Sequence, residues 1–458
     1  MSAKLERGQD SGRYYLVLGA IFLALLGVLG GASRADELQQ FLVRMAAIAV
    51  IAGALWPLNG SAFRVTPAPA IFIGFVYLVL ALQLIPLPPS LWGRMPAHDL
   101  YVSVAQQTGA IAWRPWTISP DLTLNSMAAL LPATAIGIVA LTLDFHGRVI
   151  FARVVIAIAC ASALLGLVQF AAGGTSLHLF RTTSDDSAVG VFANRNHEAV
   201  LMACGLPIVS SLASIRSHQQ GWSIRHLALA IFAILLMAMA LAATGSRMGL
   251  FLGAVGSVAA ALIYSMTARP TPRTERNIRR LWGAGAVVAV AAVPMVSLMV
   301  IRSGAIGRLM SDPIDPTRTA ALGPMLQAAR AFMPFGAGFG TFDPVYRRFE
   351  PDALLSTIYL NQAHNEPAQL AIEGGVPALA LLLVFLGWWL RSAARAFRSN
   401  QSAARRALGM AMVATTLILM LSSLVDYPLR TPLLSGLFAI ACVELVRSNQ
   451  RINARHSS

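Results

Sequence analysis

About twelve apolar stretches, each long enough to cross a bilayer, run through the 458 residues, and nearly every charge falls in the gaps between them. A membrane helix needs about 20 apolar residues. Because no water enters the hydrocarbon core, each backbone amide must be satisfied within its own helix. Charged residues make up only 12% of the chain, against roughly 25% in an average soluble domain. The pattern predicts an all-α, polytopic membrane protein, one integral domain over residues 1–458, with polar chemistry confined to its loops.

The expected spans are Tyr14–Gly31, Phe41–Leu58, Ala70–Leu87, Met127–Leu143, Val149–Ala171, Ala199–Ile215, His226–Ala243, Arg247–Met266, Gly283–Ile301, Val376–Leu390, Arg406–Leu424 and Pro432–Val446. Arg44 falls inside the second, close enough to its end to snorkel outward. Orientation follows from Lys and Arg, which cytoplasmic loops retain. With a cytoplasmic N-terminus, the inner segments hold most of the 35 basic residues, including Arg148, Arg276, Arg395, Arg405 and Arg447. Of the 20 acidic residues, 15 fall outside, among them Asp185, Asp186, Asp312, Asp343, Glu350 and Asp426. The two biases agree on both termini being cytoplasmic.

The net charge of +15 does not point to nucleic acid, because no basic patch with interleaved aromatics is present. The arginines flank membrane spans, where anionic lipid attracts them. Cys160, Cys204 and Cys442 are odd in number, scattered and inside expected spans, which suits neither a disulfide framework nor a metal site. Tyr14–Gly31 precedes further spans and reads as a first span that stays in place.

Two outer loops are long. Pro88–Ser126 is rich in Pro and Trp (Trp92, Trp113, Trp116), which suggests a segment lying at the membrane interface. Arg302–Asn365 contains helix-like stretches such as Thr319–Ala331, and long loops in compact proteins are usually functional or disordered. Its aromatics and spaced glycines predict a folded, partly helical loop, so the outer face is the expected active face.

Four clusters mark that face: Phe192–Glu198 before the sixth span, Thr244–Arg247 between the seventh and eighth, Pro334–Phe342, and His364–Pro367 ahead of the tenth. Arg247 opens an inward-running helix behind Ser246, a good N-cap. A cation at a helix N-terminus is mildly unfavourable, whereas Arg and helix N-terminus together make a strong anion site that a phosphate would fill. Snorkelling to headgroups, or pairing with an outer acid, is the plainer alternative. Arg195 repeats the arrangement before the sixth span. His364 stands near a helix start, where the positive helix end disfavours imidazolium, so a neutral ring could accept a proton from an acceptor hydroxyl. A solvated loop histidine is the alternative. Asn365 could position the ring or a sugar. His197 beside Glu198 reads as structural. Gly336, Gly338 and Gly340 lack the preceding strand that a phosphate-cradling loop requires, so turn chemistry explains them better. No carboxylate cluster has metal-ligand spacing, and no metal or cofactor is expected.

With Phe192, Asn194 and Asn196 before a span, Gly245-Ser246-Arg247 opening the next outer-to-inner helix, the run Pro334–Phe342, and His364-Asn365 followed by Gly375, the chain resembles the O-antigen ligase and polymerase superfamily of bacterial membrane glycosyltransferases. Arg318 resembles that family's loop arginine, and Ala378 stands where the family usually has Gly. The resemblance covers roughly residues 190–390. It implies an inner-membrane enzyme that transfers a glycan from an undecaprenyl-diphosphate carrier to a sugar hydroxyl, on a growing glycan or on a lipid A–core acceptor, at the periplasmic face. On this chain Arg247 would bind the diphosphate and His364 would activate the acceptor. Arg318 and Arg195 would help neutralise the leaving group, with Asn194, Asn196 and Asn365 binding substrate nearby. Direct attack implies inversion. The competing reading is a transporter or flippase of lipid-linked sugars. Such proteins commonly show internal repeats and paired interrupted helices, and no convincing repeat is visible here.

Overall fold

The structure is a computed structural model that describes residues 2–34, 36–56, 67–173, 177–182, 187–219, 223–268, 316–355, 360–398 and 401–448. The described chain is helical apart from one two-stranded ribbon. In order it comprises α1 (Ser2–Leu29), α2 (Leu38–Leu55), α3 (Pro67–Gln83), β1 (Pro86–Leu87), α4 (Pro89–Trp92), α5 (Asp99–Gln107), β2 (Arg114–Pro115), α6 (Pro120–Ala129) and α7 (Leu131–Thr142). It continues with α8 (Phe145–Ala171), α9 (Arg195–Gln219), α10 (Ile224–Ala243) and α11 (Arg247–Thr267). After residues 269–315 come α12 (Pro316–Phe332), α13 (Phe342–Tyr346), α14 (Glu366–Arg398), α15 (Ala403–Ser422) and α16 (Pro432–Ser448).

Among the described residues, nine helices are long and apolar enough to cross a membrane, so the protein is an all-α polytopic membrane protein. The expected span Gly283–Ile301 lies outside the described residues. The span expected over Ala70–Leu87 stops at Gln83, because Pro86, Pro88 and Pro89 have no backbone donor to continue it. Over Met127–Leu143 the chain forms two stacked helices, α6 and α7, broken just ahead of Pro132. The tenth span, expected from Val376, begins ten residues earlier at Glu366 and is interrupted at Gly375. Its first turns carry Glu366, Gln369 and Glu373, which hide the start of this helix from a hydropathy reading.

Helix α9 is the centre of the bundle. Its apolar window is 89% buried, whereas the windows of most other spans are 28–39% buried. α8, α10, α11 and α15 pack around it, and outward-facing side chains such as Ile21, Phe75, Val258 and Leu383 remain exposed. The close fit with α11 depends on a small residue. A Cβ on Gly249 would lie 2.5 Å from that of Ala199, which seats the start of α11 against the first turn of α9. Arg44 does not simply reach for the interface: its guanidinium donates to Asn125 Oδ1 at 2.7 Å.

The two ends of the bundle differ. At one, Arg148 donates to Glu444 at 2.5 Å and to the Leu143 carbonyl at 2.9 Å. There too Arg447 reaches the Leu141 carbonyl, Arg406 the Met266 carbonyl, and Arg405 lies 5.3 Å over the Phe145 ring.

At the other end the two long loops interlock. A second small core gathers Met325, Phe332, Phe342, Tyr346 and Ile372, so residues 316–349 are folded onto α14. The loop Pro334–Thr341 donates from Ala337 and Gly338 to the carbonyls of Ile372 and Glu373. Ile118 donates to the Ala337 carbonyl, and Trp116 Nε1 to that of Gly336 at 3.1 Å. Buried Gln83 bridges both sides, donating to the Glu373 carbonyl at 3.0 Å and accepting from Phe339 N–H at 2.9 Å. Gly338 sits at φ +110, with Thr117 Oγ1 where a Cβ would stand. The glycines therefore permit close backbone approach, and the described residues directly ahead of them form the helix α12.

Candidate functional site

The starts of α9, α11 and α14 and the connection from α15 to α16 meet at the interlocked end. Short polar caps fix each start. Asn194 Oδ1 accepts from Asn196 N–H at 2.8 Å, Ser246 Oγ from Gly249 N–H at 3.0 Å, and Asn365 Oδ1 from Ala368 N–H at 2.9 Å. Each satisfies amide donors that a helix start leaves open. The Glu366 N–H donates to the Ser423 carbonyl at 2.9 Å, stitching α14 to the end of α15.

Asp426 lies where these elements converge and is 2% exposed. Its Oδ2 accepts from Asn196 Nδ2 at 2.7 Å and its Oδ1 from Tyr427 N–H at 2.9 Å. Two imidazoles face the same Oδ1, with His364 Nδ1 at 3.4 Å and His197 Nε2 at 3.8 Å. Both distances exceed that of a well-formed hydrogen bond. The Tyr427 ring packs edge-on to both, with centroids 4.8 Å from His364 and 5.4 Å from His197. Burial pushes the Asp426 carboxyl up, but the two facing imidazoles outweigh it and hold the group well below the usual carboxylate range.

His364 itself adopts φ +48, a left-handed conformation uncommon for a non-glycine residue and typical of sites where surrounding structure over-determines the backbone. Its side chain keeps 14% of its surface exposed, while Nδ1 on the Asp426 side is buried. The peptide around it is held from behind: Gln369 Oε1 accepts from Ala363 N–H at 2.9 Å, and Gln369 Nε2 donates to Glu373 Oε1 at 2.9 Å.

A second charged group closes the other flank. Arg430 grips Glu366 with two bonds, at 2.7 and 3.0 Å, and stands 3.9 Å from Glu373. Burial lowers the Arg430 affinity for its proton, and the charges of Glu366 and Glu373 more than reverse this, raising it above the ordinary arginine range.

Of the residues singled out from sequence, the structure brings His364 and Asn196 together on Asp426. Asn194 and Asn365 use their carboxamide oxygens as helix caps, a positioning use distinct from the substrate contacts expected of them. Arg195 donates to Ser187 Oγ at 3.2 Å. Arg247 is the first residue of α11, partly exposed, and the packing of Gly249 on Ala199 sets it beside the first turn of α9. Arg318 lies in α12, but its side chain falls outside the described residues. His197, expected to be structural, is 1% exposed and faces the shared carboxylate.

Sequence reasoning missed Asp426, Tyr427 and Arg430 as site residues. Their only signal is a polar break, Asp426-Tyr427-Pro428-Leu429-Arg430, between two apolar runs. Among the described residues, no group of three or more His, Cys, Asp or Glu side chains has the arrangement of a metal site.

No curated protein matches the chain. The family model described as O-Antigen ligase matches residues 232–383, a range that includes Arg247, Arg318, the glycine loop and His364 and ends before Asp426. Over that region the chain is similar to the O-antigen ligase family.

Proposed function

We propose that this protein transfers a glycan from an undecaprenyl-diphosphate carrier to a sugar hydroxyl at the periplasmic face of the bacterial inner membrane, without a metal. The acceptor is a lipid A–core sugar in a ligase or a second carrier-linked chain in a polymerase. His364 takes the proton of the acceptor hydroxyl as the oxygen bonds to the anomeric carbon. The bond from that carbon to the diphosphate oxygen breaks, its electron pair stays on the oxygen, and undecaprenyl diphosphate leaves. Direct attack inverts the anomeric centre. Arg247, with Arg195 and Arg318, stabilises the charge developing on the diphosphate, a role that fixed cations perform well where water is scarce. Asp426 orients His364 and stabilises the imidazolium that forms, leaving Nε2 to meet the hydroxyl.

The observation that most supports this reading is a strained, partly exposed His364 backed at 3.4 Å by the buried Asp426. It stands at the same end as the helix starts that present Arg195 and Arg247. The family match over residues 232–383 supports the same class of chemistry.

The test is transfer by the purified, reconstituted protein from an undecaprenyl-diphosphate glycan to a sugar acceptor, with and without a chelator. His364→Ala is expected to lose roughly 10²–10⁴-fold in rate, and Arg247→Ala roughly 10²–10³-fold. Relocation of the lipid-linked glycan across the bilayer without cleavage overturns the reading in favour of a flippase. Full activity of both variants overturns the residue assignment.

A further inference from the structure

The connection between α3 and α6 folds as a compact hairpin with its own interior. β1 and β2 pair antiparallel, Pro86 opposite Pro115 and Leu87 opposite Arg114. Beneath them Trp92, His98 and Ala105 are buried. Both ring nitrogens of His98 lie against carbonyl oxygens, of Pro96 at 3.0 Å and Trp116 at 3.1 Å, and the ring donates to one of them. The Arg114 guanidinium stacks 5.2 Å over Trp92 and donates to the Ala110 carbonyl at 3.0 Å.

The apolar residues left over point the other way. Ile111 and Trp113 are 63% and 66% exposed, and Leu91, Leu100 and Val104 are 54%, 46% and 50% exposed. On α5 the exposed surface is divided lengthwise. Asp99, Ser103 and Gln106 form a polar row, and Leu100 and Val104 an apolar row beside it, while Ala105 packs inward. A short helix with one face on protein, one apolar and one polar is built to lie in the plane of a membrane surface.

The occupant of that apolar face follows from what leads into it. On α3, Ile71, Phe75, Leu78 and Leu82 are exposed at spacings of three and four, the lipid-facing stripe of a membrane helix, and Ile85 extends the stripe beyond it. The hairpin starts at the next residue, Pro86, and apolar exposure resumes at Leu91. Its far end returns through Thr117 to Pro120, where the next apolar helix pair begins. A segment tethered at both ends to membrane helices cannot rise far from the bilayer surface, and exposed apolar patches with Trp are suited to that boundary.

We propose that the hairpin Pro86–Pro115 is seated in the headgroup–acyl boundary of the leaflet on the site's side, with Ile111 and Trp113 as its inserting tip. Through Trp116, Ile118 and Gln83 it then holds the glycine loop, and with it the kinked start of α14, at a fixed depth relative to the lipid surface. This inference depends on the membrane fold and is independent of the transfer chemistry.

The experiment uses the full chain with Cys160, Cys204 and Cys442 replaced by Ser. An environment-sensitive nitrobenzoxadiazole probe is attached to Trp113→Cys, Ile111→Cys or Ser103→Cys. The protein is reconstituted into phosphatidylethanolamine–phosphatidylglycerol vesicles. At 113 and 111 the expected result is blue-shifted emission, several-fold quenching by lipid-borne nitroxides and protection from aqueous iodide. Ser103→Cys reports the opposite, which shows that the helix is folded and correctly sided. Iodide access with water-like emission at both tip positions overturns the proposal. So does shielding from both quenchers that weakens as protein is diluted in lipid, which identifies a second copy of the chain as the occupant.

Discussion

Asp426 and His364 show how much of a site depends on a partner that no motif announces. His364 can be found from sequence because it precedes a capped helix start and stands in a run with Asn365 and Pro367. Asp426 is a lone acid in a short connection, and its meaning appears only when that connection folds over the starts of α9 and α14. Its bond with Asn196 joins residues 230 apart in sequence. Asp426→Asn keeps the shape and removes the charge, so rate is expected to fall roughly 10²–10⁴-fold with the acceptor KM little changed, measured by transfer from the carrier-linked glycan. The same substitution tests a stability effect. The folded-state carboxyl sits below its unfolded value, so its contribution is present above the unfolded pKa of about 3.9 and is lost as pH falls through the folded value. Thermal unfolding in detergent, followed from pH 7 downward, should show a steeper acid loss in the wild type than in Asp426→Asn. Parallel curves would remove the carboxylate from the account.

At the scale of elements, periodic apolar runs were legible and their interruptions were not. Prolines account for the early end of α3 and the break between α6 and α7, and both effects are local. The extended start of α14 is different. Glu366, Gln369 and Glu373 depress its hydropathy, yet Glu366 is held by Arg430 and Glu373 by Phe342 N–H, contacts that come from distant parts of the chain, while Gln369 accepts from the nearby Ala363 N–H. Gly375, at φ 57 and ψ −146, is the joint. A Cβ there would lie 2.3 Å from the Pro334 carbonyl oxygen, in a backbone region that side chains avoid at a cost of about 1–3 kcal/mol. Gly375→Ala is therefore expected to lower the melting temperature in detergent by several degrees and to reduce transfer activity. Gly387→Ala, on the same helix with nothing within 4 Å of its added methyl, should leave both unchanged. Equal behaviour of the two variants would show that the kink is not required.

For the molecule as a whole, the two ends of the bundle carry opposite chemistry. One gathers His197, His364, Asp426, Glu366, Glu373 and Arg430, and the other Arg148, Arg405, Arg406 and Arg447. Cytoplasmic loops retain basic residues, so the arginine-rich end is expected inside and the carboxylate–imidazole end outside. The sequence contains this bias in its loop composition, but which side chains close each end is decided by packing around α9. Single cysteines at Ser103 and Ser402, in a chain with its three native cysteines replaced, mark the two ends. Ser103 belongs to α5 beside the site end, and Ser402 precedes α15 beside Gln401, which bonds the Ser448 carbonyl. A membrane-impermeant maleimide applied to spheroplasts is expected to label position 103 at once and position 402 only after permeabilisation. The reverse pattern would put His364 on the cytoplasmic side. A carrier already moved outward could not then reach it, and transfer at the periplasmic face would be impossible for this fold however well its residues were arranged.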